Sequence, residues 1–203
     1  MSAAAVEQQP HDDISLTALA EEIMERHPGY RVEIIGGQIL VTPPPDGPHG
    51  EALTDLTLPF IAAGLHSSES KLIQGLGVWL PEGAEDYAIP DFSVVDADYR
   101  EHLIESTYYD PAVFRLVVEV TSSNWRTDLH TKVAAYANAK VPVYVIVDRK
   151  HQRLHVLTDP IADEYDNHRI YSSGQTVVLP DSIGAEVTLD VAEILKAGQP
   201  TSD

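Results

Sequence analysis

Apolar residues recur at Leu16, Leu19, Ile23 and Met24, a spacing that lays them along one stripe of a helix. Ser15 stands as its N-cap and His27-Pro28-Gly29 as its stop. The period then changes: Tyr30 to Ile35 and Gln38 to Val41 read as two strands flanking Gly36-Gly37, a pair that accepts the positive φ of a tight hairpin turn. Pro43 to Pro45 and Gly47-Pro48 make a stiff loop. Helical spacing returns over His49 to Leu65 through Leu53, Leu56, Phe60 and Ile61, with Pro59 expected to kink or divide that helix. Lys71 to Leu80, Ala88 to Val95 and Val113 to Val120 are β-rich runs between polar connections. Gly75-Leu76-Gly77, inside the first run, reads as a place of close backbone approach.

Thr127 to Ala139 predicts a helix with Leu129, Val133, Tyr136 and Ala137 in its stripe. Val141 to Val147, nearly all apolar and bounded by Asp148, predicts a strand covered on both faces. Short strands follow at Arg153 to Leu157, Arg169 to Ser172 and Thr176 to Leu179, and Asp190 caps a last helix to Leu195. The central order over residues 48 to 148 is therefore helix, three strands, helix, strand, which predicts an α/β (α+β) fold with a mixed sheet. With no repeat or linker in sight, residues 13 to 197 are expected to form one domain between polar tails, 1 to 12 and 198 to 203.

Composition changes this picture in two ways. The 203 residues contain no cysteine, which removes disulfides, thiolate zinc sites and cysteine nucleophiles and points to a reducing, cytoplasmic setting. The first residues carry neither the basic nor the apolar region of a signal peptide, and no stretch nears the roughly 18 apolar residues of a membrane span. Thirteen Lys+Arg against 32 Asp+Glu give a formal charge of -19. So acidic a chain excludes the broad basic footprint of a non-specific nucleic-acid binder, and any contact with nucleic acid must be local. Carboxylates are, however, what hard divalent cations require.

Two acids interrupt apolar strands: Asp91 in Ile89-Pro90-Asp91-Phe92-Ser93-Val94-Val95, and Glu119 in Leu116-Val117-Val118-Glu119-Val120. Burying an unpaired carboxylate is costly, so such a position implies a partner, a metal or a strand end open to a cleft. The plainer alternative has Asp91 capping a turn after Pro90 and Glu119 pointing to solvent. Downstream, Asp128 and Lys132 stand at i and i+4 with Tyr136 one turn further along the same face. They are either an ordinary surface ion pair or a cation reaching back over the strand. Glu51 and Asp55, at i and i+4 on the earlier helix, read as ordinary solvated helix charges, and the lone His49 as a cap or loop contact. The lack of a helical His-x-x-x-His argues against zinc. Nucleophile-elbow, P-loop and dinucleotide fingerprints are also missing from the sequence.

Taken together, Pro90-Asp91, the strand ending Glu119-Val120-Thr121-Ser122, the helix with Asp128 and Lys132, Ala135-Tyr136-Ala137 and the run Val141 to Asp148 resemble the Uma-type bacterial restriction endonuclease family of the PD-(D/E)XK nuclease superfamily. The resemblance runs from about Glu21 to Leu195. It implies a restriction-endonuclease-like core and Mg²⁺- or Mn²⁺-dependent hydrolysis of DNA. Asp91, Glu119 and the Val120 carbonyl would be metal ligands and Lys132 the catalytic cation, with Glu51, His49, Thr121, Asp128 and Tyr136 as further candidates. The superfamily lysine expected two residues after the acid is here Thr121; the resemblance implies a lysine displaced onto the following helix, which makes Lys132 the candidate. Two other readings stay open: a catalytically silent nuclease-fold binding or regulatory domain, and a metal-dependent hydrolase of another phosphate ester. A two-fold homodimer fits the strand-rich C-terminal part.

Overall fold

In the computed structural model, which describes residues 15–121 and 125–196, Ser15 Oγ accepts from Ala18 N at 3.3 Å and caps α1 (Leu16–Arg26). The expected tails, 1 to 12 and 198 to 203, and Ser122 lie outside the described residues. A hairpin follows, β1 (Arg31–Ile35) and β2 (Gln38–Thr42), whose two-residue turn holds Gly36 and Gly37 at φ 60° and 68°. Few side chains tolerate that conformation twice in succession. Asp86 fixes the turn from outside by accepting from Gly36 N at 2.7 Å and Gly37 N at 3.1 Å.

Asp46 then caps α2 (Gly47–Ala62), accepting from His49 N at 2.8 Å. Pro59 does not divide this helix as the sequence suggested. It sits in the last turn, where its missing N–H removes only one bond, and Ala63 N still reaches the Pro59 carbonyl.

The remaining elements are β3 (Ser70–Gln74), β4 (Gly77–Trp79), β5 (Tyr87–Ala88), β6 (Phe92–Asp96), β7 (Leu103–Glu105), β8 (Tyr108–Tyr109) and β9 (Phe114–Val120). A π-helical turn, Thr127–Thr131, runs into α3 (Lys132–Asn138). Then come β10 (Val143–Asp148), β11 (Arg153–Ile161), β12 (Glu164–Ser172), β13 (Thr176–Val178), β14 (Thr188–Asp190) and α4 (Val191–Lys196).

Two six-stranded sheets result, ordered β12-β11-β10-β9-β6-β3 and β2-β1-β5-β4-β8-β7, beside the small pair β13-β14. In the first sheet β3, β6 and β9 form an antiparallel meander, and β10 joins β9 in parallel after the crossover through α3. This is the expected order helix, three strands, helix, strand.

Two of the expected strands are each split between the sheets. Lys71 to Leu80 breaks at Gly75, whose φ of 66° turns the chain out of β3 and into β4. Ala88 to Val95 breaks at Ile89-Pro90-Asp91, where Pro90 has no N–H with which to continue a ladder. Gly77 is the close approach the sequence suggested, since a Cβ there would stand 2.5 Å from the Tyr108 ring.

Alternation along β9 decides what each face meets. Leu116, Val118 and Val120 join Leu56 and Phe60 of α2 and Ile194 and Leu195 of α4 in one core; Val117 joins Ala135, Tyr136 and Ile146 in the other. Glu119 shares the Val117 face, so the strand's pleat delivers a carboxylate to α3. Among the described residues, no helix is long and apolar enough to cross a membrane.

Candidate active site

Where the two sheets exchange strands, a cleft of about 420 Å³ opens, lined among others by Arg31, Glu33, His49, Asp91, Glu119, Val120, Asp128 and Lys132. Each arrives by a different route. Asp91 stands at the break before β6, Glu119 near the end of β9, and Arg31 and Glu33 on β1. His49 comes from the first turn of α2, Asp128 from the π-helical turn and Lys132 from the first residue of α3.

The break at Pro90 leaves Asp91 free to turn its side chain toward the neighbouring strand, where its Oδ2 accepts from Val120 N at 2.8 Å. His49 Nε2 lies 3.4 Å from the same oxygen, and Arg31 Nη2 is 2.6 Å from Oδ1. Burial alone would raise this carboxyl, but the adjoining His49 and Arg31 and the Val120 N–H outweigh it. They hold Asp91 well below the usual carboxylate range, as an anion.

Glu119 takes the opposite position. Its Oε1 accepts from Lys132 Nζ and from Tyr136 Oη, each at 2.8 Å. Oε2 carries no hydrogen bond among the described residues and lies 3.9 Å from Arg31 Nη1. Burial first, then the charges of Asp91 and Asp128, push Glu119 well above the ordinary glutamate value despite the lysine. Asp128, also buried, is pushed up to about 6, again by burial and by neighbouring Asp91 and Glu33.

Lys132 is only 3% exposed, so its ammonium is solvated by carboxylates: Glu119 at 2.8 Å, Glu33 at 3.0 Å and Asp128 at 3.8 Å. Burial works against its charge, but the three acids more than compensate and raise it above the lysine range. It therefore stays protonated and acts as a fixed positive charge, never as a base.

The helix that carries Lys132 is widened at its start. Lys132 N reaches back to the Thr127 carbonyl, and Tyr144 Oη donates to the Asp128 carbonyl at 2.9 Å. Such π turns insert one residue into an α-helix and are frequent at functional sites. Here the turn follows the exposed Arg126, carries the buried Asp128 and leads into the buried Lys132.

Glu33, Asp91, Glu119 and Asp128 thus face two permanent cations, Arg31 and Lys132. Four buried acids, two of them pushed toward protonation where no cation offsets their charge, offer hard oxygen donors with the chemistry of a divalent-cation site. Among the described residues no three carboxylate or imidazole groups already surround a common point. Arg31 instead is the tethered cation that spans the two acids, 2.6 Å from Asp91 and 3.9 Å from Glu119.

Not every residue singled out from the sequence comes to this cleft. Glu51 is exposed on α2 and does not line it, because the register that buries Ala52, Leu53 and Leu56 turns position 51 to solvent. The further acid is Glu33, whose Oε1 also accepts from Ile89 N at 2.7 Å. Thr121 is buried but occupied in backbone work: its N–H donates to the Val147 carbonyl and its Oγ1 accepts from Arg149 N, both at 3.0 Å. Arg31 and Glu33 were not singled out from the sequence. Glu33 carries the same signal as Asp91 and Glu119, an acid interrupting an apolar strand, in Arg31-Val32-Glu33-Ile34-Ile35.

A meander, crossover helix and parallel strand with acids at the strand ends define the restriction-endonuclease-like class. The crystal structure described as "a putative nuclease belonging to DUF820", from Anabaena variabilis, superposes with a TM-score of 0.66 at 14% identity. It covers 83% of this chain and 91% of its own. The chain belongs to the Uma2 family, described as "Putative restriction endonuclease", whose match spans residues 19–192. No curated protein matches it.

Proposed function

We propose that this cleft hydrolyses phosphodiester bonds of DNA with the help of Mg²⁺ or Mn²⁺. The observation that carries the reading is the buried excess of carboxylate around Asp91 and Glu119, placed at neighbouring strand ends with Lys132 turned inward beside them. Asp91, Glu119 and the Val120 carbonyl would hold the cation. A bound divalent cation supplies Lewis acidity at the scissile phosphate and a more acidic water.

The chain's own groups do the rest. Asp91 is kept anionic and oriented by His49 and Val120 N–H, so it presents an oxygen at neutral pH without waiting for deprotonation. Tyr136, whose hydroxyl is raised well above the tyrosine range by burial and by Glu119, stays a donor and fixes the Glu119 carboxylate. Lys132, permanently charged, stabilises negative charge gathering on the phosphoryl oxygens. A two-fold dimer would pair two such clefts.

The competing reading, a nuclease fold used for binding alone, draws on Arg31, whose guanidinium already satisfies Asp91 Oδ1. Cleavage of plasmid and oligonucleotide DNA with Mg²⁺ or Mn²⁺ separates the two. Wild type is expected to cut only with the cation, and Asp91→Asn to lose about a thousandfold in rate, the several kcal/mol that metal assistance supplies. Equal cutting by Asp91→Asn would remove this residue from the chemistry. Intact DNA in every wild-type reaction would favour the binding domain.

A further inference from the structure

Basic residues are scarce in this chain, yet Arg126, Arg149, Lys150 and Arg153, four of its 13 Lys+Arg, fall in two short segments that meet at the rim of the cleft. Half-buried Trp125 stands between them. Lys150 Nζ lies 4.2 Å from its ring centroid, the Arg126 guanidinium carbon 5.1 Å, and the His151 ring packs edge-on at 4.9 Å. Lys150, Arg126 and His151 are all exposed. Two contacts tie this group to the cleft. Arg126 directly precedes Thr127 and Asp128, which line it, and Arg149 holds Asp46, another lining residue, through two hydrogen bonds of 3.1 and 3.4 Å.

An exposed cation–π pair contributes little to stability, about 0.5–1 kcal/mol, so folding alone gives weak reason to gather these groups here. Their chemistry matches one partner closely. Phosphates draw exposed ammonium and guanidinium groups, and an indole face from which Lys150 withdraws toward a phosphate becomes free to stack an unpaired base. A duplex offers no such base, and 13 Lys+Arg against 32 Asp+Glu equip the chain poorly to track a run of duplex phosphates.

We infer that Trp125, Arg126 and Lys150 form a docking platform for an unpaired stretch of nucleic acid leading into the cleft. This inference rests on the nuclease reading and narrows it, making single-stranded, frayed or branched DNA the preferred substrate.

The test uses the full chain and a short fluorescein-labelled single-stranded DNA, with no added divalent cation. Binding is read by anisotropy and by quenching of tryptophan emission, for which Trp79 and Trp125 are the two sources. Trp125→Ala is expected to weaken binding roughly tenfold, and Trp125→Phe to keep much of the affinity while losing the quench. Lys150→Ala and Arg126→Ala should each flatten the salt dependence of log Kd by about 0.7. Unchanged thermal midpoints for Lys150→Ala and Arg126→Ala establish that the loss is not unfolding.

If wild type binds and cuts while these variants bind as tightly as it does, the platform is wrong and the nuclease reading stands. If binding depends on the platform but no DNA is cut with Mg²⁺ or Mn²⁺, the platform stands and the nuclease reading falls. Stronger binding to duplex than to single strand, or no binding at all, overturns the inference.

Discussion

Lys132→Met is expected to lower stability by about 3–5 kcal/mol, the range for breaking a buried ion pair by removing one partner. The reason is the number of acids that share this ammonium: Glu119, Glu33 and Asp128 all lie within 4 Å of it, and all three are buried. For a chain of this size the loss corresponds to a fall of roughly 10 °C in the thermal midpoint. The deficit should also depend on pH, with a definite sign. Asp128 is pushed up to about 6 and Glu119 is raised in the same direction, so the folded state takes up protons at these groups more readily than the unfolded chain does. Ionisation of Asp128 therefore costs stability increasingly as pH rises from the unfolded carboxylate value through about 6, that of Glu119 acts in the same direction, and the cost is absent at low pH. Urea denaturation of wild type and Lys132→Met should show a gap that is wide at pH 8 and narrower at pH 5. A gap of equal size at both values would mean that the lysine stem's packing, not its charge, is what matters.

Glu119→Gln should separate function from stability in the opposite sense. The neutral amide can still accept from Lys132 and Tyr136 through its oxygen, so the two hydrogen bonds at Oε1 have a replacement. It also removes a charge that burial, Asp91 and Asp128 all disfavour. The variant is expected to melt at or above wild type at pH 8, because removing the disfavoured charge offsets the lost ion pairing, with a smaller difference at pH 5. Cleavage should meanwhile fall by about a thousandfold, because the amide brings no negative charge to hold a divalent cation beside Arg31 and Lys132. Such a pairing of retained stability with lost activity marks a residue kept at a cost to the fold. A variant that melts far below wild type would instead place Glu119 among structural ion pairs.

Much of this architecture was legible because the period of the apolar pattern is set by the backbone. The crossover from β9 through α3 to β10 follows from one strand run, one helical stripe and one buried strand, and the acids in those strands stood out as violations of the pattern. Lys132 could be placed on a helix by spacing, yet its burial could not. At i+4 from Asp128 it has the form of a surface pair, and only the π turn and the arrival of β1 make that surface an interior. Arg31 and Glu33 were hidden for the same reason. A hairpin read locally shows two strands, whereas its docking over Ile89 and Asp91 depends on the sheet switch at Pro90, a contact between residues 56 to 60 apart in the chain. The split of Lys71 to Leu80 was equally illegible, since Gly75 leaves a strand-like composition intact while turning it between sheets.

Calorimetric titration of the DNA-free protein with Mn²⁺ tests whether the cleft between Asp91 and Glu119 takes up a divalent cation. Wild type is expected to bind one ion, with proton release that grows as the pH is lowered toward 6, where more of the buried carboxyl groups begin protonated. Asp91→Asn should show no binding at the same concentrations. Equal binding by wild type and Asp91→Asn, or none by wild type under conditions in which it cuts DNA, would contradict the account.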